Sequence, residues 1–401
     1  MTIFTKSFTQ QEPIPEEGIA AAIAVMQSGR LHRYNTEAGE KSLTDQLELA
    51  FSEYIGVDNC LACASCGYAL HVALLSVGVA KGDKVLCNAF TLAPVPGAIH
   101  NAGGIPVFVD IDEQLCIDLA DLEIKAAQSG AKYLLLSHMR GHIADMDRVM
   151  DICRRNNIYL IEDCAHTMGA KWDGKMSGSF GDVACFSTQT YKHMNSGEGG
   201  LLVTPHKEII TRAIIYSGSY MLYEKHYAAP EKEAFNEVKY TIPNYSGRMD
   251  NLRAAILLPQ LKNLDQKCHD WNARYDLMNT IFKSSKHIKT ITRDEKEGFV
   301  ASSIQFSLPA FSYSDCKNLI TNCEAKGVSI KWFGEAEPSS YTSKYDSWLY
   351  LDKQPLLTST EGLLATLIDI RIPLTFTLSD CNTVANIVVN QIEEIAVNPP
   401  T

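Results

Sequence analysis

A lysine lies between two apolar runs near the middle of the chain. The runs at 183–186 and 200–204 are compatible with buried strands, and the segment between them, "STQTYKHMNSGEGG", carries Lys192. A lysine amine is a strong nucleophile once it has lost its proton. The ordinary alternative is a solvated loop lysine, so the rest of the chain has to decide between the two.

A carboxylate follows another apolar run upstream. In "IYLIEDCAHTMGA" (158–170) the strand pattern ends at Glu162 and Asp163, and His166 comes three residues after Asp163. A carboxylate at the end of a buried strand is either the N-cap of the next helix or a residue of a binding site.

A third stretch, "CASCGYALHVALL" (63–75), passes from an apolar strand through Ser65, Cys66 and Gly67 into an amphipathic helix. A helix that opens on small residues presents free N–H groups and a positive dipole end, which suits a phosphate. The dinucleotide fingerprint GxGxxG does not occur in the chain.

A phosphate cradle, an acid and a lysine together are the parts that a pyridoxal 5′-phosphate enzyme requires. The lysine amine forms a Schiff base with the cofactor aldehyde, and the acid keeps the pyridine nitrogen protonated. We therefore predict pyridoxal 5′-phosphate as the cofactor.

The elements that would position these residues alternate between strands and helices. Nearly continuous apolar strands separated by helices, such as 144–155, predict a mostly parallel sheet covered on both faces. Ligands of such sheets bind at the carboxyl ends of the strands. The predicted strands are 84–87, 106–110, 133–137, 158–162, 183–186 and 201–204.

The C-terminal part has a different pattern. A long helical pattern from Met249 to about Ile281 is followed by "GFVASSIQFSLP" and by helical stretches at 314–327 and 379–395. We predict a large cofactor-binding α/β domain over residues 1–250, with a seven-stranded type of sheet. The connecting helix and a smaller α+β domain occupy residues 251–401.

Composition narrows the possible functions. The net charge of −11 argues against non-specific binding to nucleic acid, and no apolar run reaches the length of a membrane span. The N-terminus lacks the pattern of a signal peptide, and most of the cysteines lie in apolar runs, which together favour a cytoplasmic protein with reduced thiols. Cys60, Cys63 and Cys66 have CxxC spacing, but no second pair completes a metal site, and we predict none.

The sequence resembles the DegT/StrS-type family of sugar aminotransferases, which have the aspartate aminotransferase-like fold (fold type I). The resemblance runs through most of the chain, and its most specific motifs are "EDCAH" and "K…GEGG". It also covers "GSFGDVACFST" before the lysine and "RMDNLRAAI" after it.

The resemblance implies a role for each site residue. Lys192 would carry the cofactor and shuttle protons, Asp163 would pair with the pyridine nitrogen, and His166 would lie near the ring or its 3′-oxygen. Ser187 would bind the phosphate together with Ser65, Cys66 and Gly67. The family acts as a homodimer with a shared active site, in which the segment around Ser246 would reach the partner's phosphate.

The chain departs from the family pattern at four places. Leu92 takes the position of the aromatic residue that stacks on the cofactor, and Phe90 is the candidate to replace it. Tyr68 and Thr188 stand where Thr and Phe are usual, and Ser246 stands where Asn is usual. None of these changes removes Lys192 or Asp163.

The resemblance implies an aminotransferase that moves an amino group, with glutamate as the expected donor, onto a keto-sugar. The alternative is a fold-type-I enzyme that acts on an amino acid or another small metabolite, for which Arg371 could bind a carboxylate. A non-catalytic regulatory protein is a third hypothesis, and the intact Lys192–Asp163 pair argues against it.

Overall fold

The computed structural model describes residues 3–37, 39–244, 246–337, 344–352 and 354–397. Fourteen strands lie in these ranges, and most are short apolar runs. In chain order they are β1 Asn59–Cys63, β2 Lys84–Asn88, β3 Ile105–Val109, β4 Tyr133–Ser137, β5 Tyr159–Asp163, β6 Lys171–Trp172, β7 Lys175–Met176, β8 Val183–Ser187, β9 Gly200–Thr204, β10 Lys289–Thr290, β11 Glu297–Gly298, β12 Ser303–Ser307, β13 Lys331–Trp332 and β14 Leu367–Arg371.

Twelve α-helices accompany the strands in the described ranges. Several begin at side-chain caps, for example the capping box of Ser42 with Asp45. In chain order they are α1 Glu16–Ser28, α2 Leu43–Ile55, α3 Cys66–Val77, α4 Pro94–Asn101, α5 Leu119–Ser129, α6 Met146–Asn156, α7 Lys207–Tyr216, α8 Asn251–Lys262, α9 Leu264–Phe282, α10 Tyr313–Ala325, α11 Thr358–Leu364 and α12 Leu378–Val397.

The large sheet has seven strands in the order β1-β9-β8-β5-β4-β2-β3. The strands from β8 to β3 are parallel, whereas β9 is antiparallel to both of its neighbours. The predicted, mostly parallel seven-stranded sheet is confirmed, and the predicted strand ends are right to within one residue.

Alternate residues of each strand pack into buried clusters on opposite faces of the large sheet. On β4, Leu134 and Leu136 belong to one buried cluster, whereas Tyr133 and Leu135 belong to another on the opposite face. Side chains of a strand point alternately to the two faces of the sheet. Because helices cover both faces, the strands are apolar throughout, which is why the sequence predicted them well.

The C-terminal strands form a second sheet, in the order β10-β12-β14-β13, with every pair antiparallel. The long helix predicted for Met249 to Ile281 is wrong in one respect, because it is divided at Asn263 into α8 and α9. The Asn263 side-chain amide donates to the carbonyl of Pro259 at 3.4 Å, and such a local bond competes with the helical pattern.

The N-terminal residues pack with the C-terminal sheet. Phe4 and Phe8 make edge-to-face contacts with Phe376, and the backbone N–H of Phe4 donates to the carbonyl of Lys326. The division of the chain at residue 250 stays a prediction. No described helix is both long and apolar enough to span a bilayer.

Candidate active site

Three neighbouring parallel strands end in polar side chains at one edge of the large sheet. Ser137 ends β4, Asp163 ends β5 and Ser187 ends β8. Ser137 lies directly beside Asp163 in the strand register, and its hydroxyl donates to Asp163 Oδ2 at 2.9 Å. The carboxyl edge of the sheet therefore gathers polar groups at one place, as expected for a ligand site.

Asp163 is buried, and no helix begins directly after it. Residues 164–170 form turns, and Asp163 Oδ1 accepts a hydrogen bond from the backbone N–H of Ala165. The capping alternative for this carboxylate therefore has no helix to cap. The side chain is held by Ser137 and by its own turn, which fixes its direction towards the cavity that it lines.

The neighbouring Glu162 has a different task, because its side chain points to the other face of the sheet. Its carboxylate accepts from the backbone N–H groups of Gly178, Phe180 and Gly181 and contacts His138 Nε2 at 3.2 Å. Burial alone would raise the pKa of Glu162, but His138 and the N–H donors hold it below its usual value. Glu162 therefore anchors a turn.

Lys192 lies in the segment that connects β8 to β9. Its Nζ is 2.9 Å from His166 Nε2. Burial lowers the pKa of Lys192 to about 8, the charge of Asp163 opposes this change, and Arg140 adds to it. A lysine with a lowered pKa has a larger share of neutral, nucleophilic amine at physiological pH.

His166 is a neutral ring in this site. Burial, followed by the charge of Lys192, holds the pKa of His166 well below its usual value. A neutral ring can accept a hydrogen bond at Nε2 from the Lys192 ammonium. His166 therefore orients the lysine without adding positive charge.

The turn that opens α3 lies beside the same edge. Ser65 is the N-cap of α3, and its hydroxyl accepts from the backbone N–H of Tyr68 at 3.1 Å. Gly200, at the start of β9, packs directly on this turn, because a Cβ at Gly200 would lie 2.5 Å from the Ser65 carbonyl carbon. The start of α3 lines the cavity through Ser65, Cys66 and Gly67.

These residues line one cavity of about 1250 Å³. The structure brings eight of the ten predicted site residues to its wall, namely Ser65, Cys66, Gly67, Leu92, Asp163, His166, Ser187 and Lys192. Their roles towards a cofactor stay predictions.

Phe90 and Ser246 are not among the described residues that line this cavity. Phe90 is fully buried and packs edge-to-face on Phe333, with ring centroids 5.0 Å apart, whereas Leu92 takes the cavity position. Ser246 is exposed, and its hydroxyl accepts from Arg248 at 3.2 Å. The roles of Phe90 and Ser246 towards a cofactor therefore both stay predictions.

Sequence reasoning missed several residues of the cavity wall, including Ser137, Arg140, Tyr191 and Lys331. Ser137 could have been found, because it ends a predicted strand as Asp163 does. Arg371, the candidate carboxylate ligand of the alternative function, also lines the cavity.

One buried group of possible metal ligands lies near the site. His138, Glu162 and Cys164 have ligand atoms within 4.8 Å of one another. The Glu162 oxygens already accept three backbone hydrogen bonds and contact His138. We therefore assign no metal to this cluster.

Comparison with known proteins agrees with this geometry. The profile of the DegT/DnrJ/EryC1/StrS aminotransferase family matches residues 13–389. The fold is that of a fold-type-I, aspartate aminotransferase-like protein, as predicted. The chain belongs to the DegT/DnrJ/EryC1/StrS aminotransferase family.

Curated relatives are similar over part of their length. GDP-perosamine synthase of Escherichia coli O157:H7 is 31% identical over 63% of this chain and 65% of its own. The same enzyme of Caulobacter vibrioides is 34% identical over 55% of this chain and 57% of its own. The matched region thus spans about half to two thirds of these relatives.

Solved structures match along nearly the whole chain. 3-Amino-5-hydroxybenzoic acid synthase superposes with a TM-score of 0.83 at 20% identity, covering 98% of this chain and 99% of its own. A GDP-4-keto-6-deoxymannose-3-dehydratase superposes with a TM-score of 0.82 at 19% identity, covering 96% and 100%. At this identity the likeness concerns the fold.

Proposed function

We propose that this protein is a pyridoxal 5′-phosphate-dependent aminotransferase that moves an amino group from glutamate to a keto-sugar in amino-sugar biosynthesis. The observation that carries the proposal is the buried Lys192 amine, with a pKa of about 8, in the same cavity as the Asp163 carboxylate and the first turn of α3. Sugar aminotransferases among the relatives support the choice of acceptor.

The residues present fit the cofactor. Lys192 supplies the amine for covalent attachment, and Asp163, at the end of β5, supplies the carboxylate for the pyridine nitrogen. The N–H groups at the start of α3, together with the Ser187 hydroxyl, supply donors for a phosphate. Gly200 lets β9 pack closely on this turn, because a side chain there would collide with the Ser65–Cys66 backbone.

Lys192, His166 and Asp163 then have separate roles in the reaction. When bound, the cofactor supplies an electron-accepting ring that weakens a C–H bond next to the amino nitrogen. In each half-reaction Lys192 Nζ would take up a proton at one carbon and release it at another, which needs an amine with a pKa near the working pH. His166 holds Nζ at 2.9 Å, and Ser137 and the backbone N–H of Ala165 hold the Asp163 carboxylate that would pair with the ring nitrogen.

Assembly and location belong to the same proposal. We infer a homodimer in which the segment around Ser246 completes the phosphate site of the partner, in a cytoplasmic protein. We also keep the division into domains at residue 250 as part of the proposal. Sedimentation of the loaded protein tests the assembly, and a monomer with full cofactor occupancy would contradict it.

A second candidate is a fold-type-I enzyme that acts on an amino acid or another small metabolite. The observation that favours it is the position of Arg371 on the cavity wall, where a guanidinium could bind a carboxylate.

Two half-reactions test the proposal. Glutamate alone should bleach the colour of the bound cofactor, and a keto-sugar should restore it. Borohydride should fix the cofactor on the peptide that contains Lys192. Label on a control lysine such as Lys175 would contradict the assignment of Lys192. If keto acids restore the colour of the cofactor and no keto-sugar does, the second candidate is favoured.

A further inference from the structure

A second, much smaller cavity lies next to the large one, and we call it the chamber. About 20 Å³ of it is open to the centre of a water molecule. Roughly 10–15 Å³ of such space is enough to hold one water. Seven of the eleven described residues that line the chamber are polar. Its size and its polar lining therefore suit an ordered water molecule.

The chamber shares part of its lining with the large cavity. Gln11, Lys192 and Trp271 line both of them. His193, the residue after Lys192, lines the chamber and not the large cavity. Lys192 therefore lies at the boundary between the two cavities, and a group bound in the chamber is close to the residue that the proposed function places at the reaction centre.

His193 brings polar atoms to the chamber that have no partner. The residue is 2% exposed, and neither ring nitrogen has a hydrogen-bond partner among the described residues. Its ring packs edge-to-face with Trp271, with centroids 5.1 Å apart, but the indole N–H donates to the carbonyl of Ile372. A buried polar atom without a partner costs free energy, and a water in the chamber would remove part of that cost.

His193 is a neutral ring beside the reactive lysine. Burial, followed by the charge of Lys192, lowers the pKa of His193 to about 3. His193 in turn helps to lower the pKa of His166, which contacts Lys192 Nζ. The three side chains are thus near enough for their charges to interact. A neutral ring can orient a water by a hydrogen bond without adding positive charge next to the lysine.

The chamber reaches the protein surface at an ion pair. Lys267 on α9 and Glu12 both line it, and their charged atoms lie 3.3 Å apart. Glu12 is exposed, and such a pair holds its side chains only weakly. The inner side is fixed instead, because the Gln260 side chain donates to the carbonyl of Asn195 and accepts from its N–H, both at 2.8 Å. Water can therefore enter at the ion pair while the inner side keeps its shape.

We propose that the chamber holds an ordered water molecule, that His193 positions this water by a hydrogen bond, and that the water carries protons between Lys192 and solvent. The Lys192 ammonium gives a proton to the water and receives one from solvent by the same route, so that no charge accumulates. His193 is then a positioning residue, since it acts on the lysine through the water. The water site depends only on the chamber, whereas its use in proton transfer rests on the proposed function.

A high-resolution crystal structure of the protein as purified tests the water site. We expect a solvent peak in the chamber at about 3 Å from a His193 ring nitrogen. His193→Phe keeps an aromatic ring against Trp271 and removes both nitrogens, so the peak should vanish, whereas His193→Gln offers a donor and an acceptor and should keep it. A chamber without solvent in the unaltered protein would overturn the proposal, and so would a peak that persists in His193→Phe.

A single half-reaction tests the proton route. Glutamate with deuterium at its α-carbon is mixed with the loaded protein in ordinary water, and mass spectrometry measures the deuterium that reaches the cofactor. We expect little label in the unaltered protein and several-fold more in His193→Phe, because the Lys192 hydrogens then exchange more slowly with solvent. His193→Gln should resemble the unaltered protein. His269→Phe, the same substitution at an exposed histidine of α9, should leave the transfer of label unchanged.

The share of label also separates the route from a structural role and from the proposed function. A merely structural His193 predicts a slower reaction in His193→Phe with the same share of label, and that result would overturn the route and leave the aminotransferase standing. Complete transfer of label in the unaltered protein would overturn the route whatever the variants show. If glutamate does not bleach the unaltered protein, the proposed function fails, and the crystal structure still decides on the water site.

Discussion

The two walls of the cavity are built in different ways. The wall at the large sheet consists of strand ends and one helix start, where Asp163, Ser187 and Ser65 each sit at the boundary of an element. The opposite wall is lined by Arg140, Lys331 and Arg371, and we call it the cationic wall. Its side chains lie on a sheet face and in a turn and come from distant parts of the chain. The first wall follows from topology, since parallel strands end at one edge, whereas the second depends on how two sheets meet.

The walls also differ in charge. At the large sheet, Asp163 opposes the burial that lowers the pKa of Lys192, whereas Arg140 and Arg371 from the cationic wall add to that lowering. The wall at the large sheet therefore favours the charged form of Lys192, and the cationic wall favours its neutral form. The reactivity of the site is a property of both walls together.

The largest effect is expected from removing the amine itself. Lys192→Ala should reduce turnover by roughly 10³-fold or more, because covalent attachment and the proton-transfer group are lost together. Turnover and borohydride labelling measure the change, with Lys175→Ala as the control at an exposed lysine. Substantial turnover in Lys192→Ala would mean that Lys192 is not the catalytic lysine.

The adjacent residues Asp163 and Glu162 give a matched pair on opposite faces of one strand. Asp163→Asn should lower turnover by about ten- to a hundredfold with little change in Tm, since one charge-assisted hydrogen bond to the cofactor is lost. Glu162→Gln should instead destabilise the fold by about 1–3 kcal/mol, because its buried N–H donors lose a charged acceptor. Thermal unfolding and turnover of both variants, measured side by side, test this contrast, and a reversed pattern would exchange their roles.

The phosphate cradle is tested by adding one methyl group. In Gly200→Ala the new Cβ would lie 2.5 Å from the Ser65 carbonyl carbon, so β9 or the start of α3 must move. We expect cofactor affinity to fall by roughly tenfold and stability to fall by about 1–3 kcal/mol. Gly362→Ala in α11, where no atom lies within 4 Å of the added Cβ, should leave cofactor affinity unchanged. Equal cofactor affinities in Gly200→Ala and Gly362→Ala would show that Gly200 has no part in shaping the phosphate site.

The smallest effect concerns the coupling of the two walls. The neutral amine attacks the cofactor aldehyde, so uptake by the apoprotein should rise with pH around a midpoint near 8, the lowered pKa of Lys192. Arg140→Gln removes a positive charge that lowers this pKa, so the midpoint should move to higher pH. At pH 7.5 uptake should slow by roughly threefold, which corresponds to half a pKa unit. A midpoint above 10 in the unaltered protein would show that the two walls do not act on the amine.

The sequence predicted the large sheet closely because its strands are buried on both faces. Strand β4 was predicted without error, and β5 within one residue, since neither contains a polar residue until its end. The division of the long helix at Asn263 was missed, because the side-chain bond that accompanies it involves one residue within an otherwise helical pattern.

The site was predictable where a residue sits at the end of an element and less so elsewhere. Leu92, rather than Phe90, lines the cavity because Phe90 is fully buried against Phe333, a contact across the fold that no local pattern indicates. Arg140 and Lys331 were missed for the same reason, since an arginine in a turn and a lysine on a short strand have ordinary surface alternatives.

The sequence by itself therefore determined the order of the elements, the carboxyl edge of the parallel sheet, and the lysine, acid and helix start that meet there. These follow from short-range patterns and from the rule that parallel strands end together. Only the tertiary structure decided what faces that edge. The register of Lys331 with Asp369 and the 3.0 Å contact of Arg140 with Asp369 help to place these two side chains, with Arg371, in the same cavity as Lys192. Such contacts depend on packing between distant segments, which local sequence patterns do not encode.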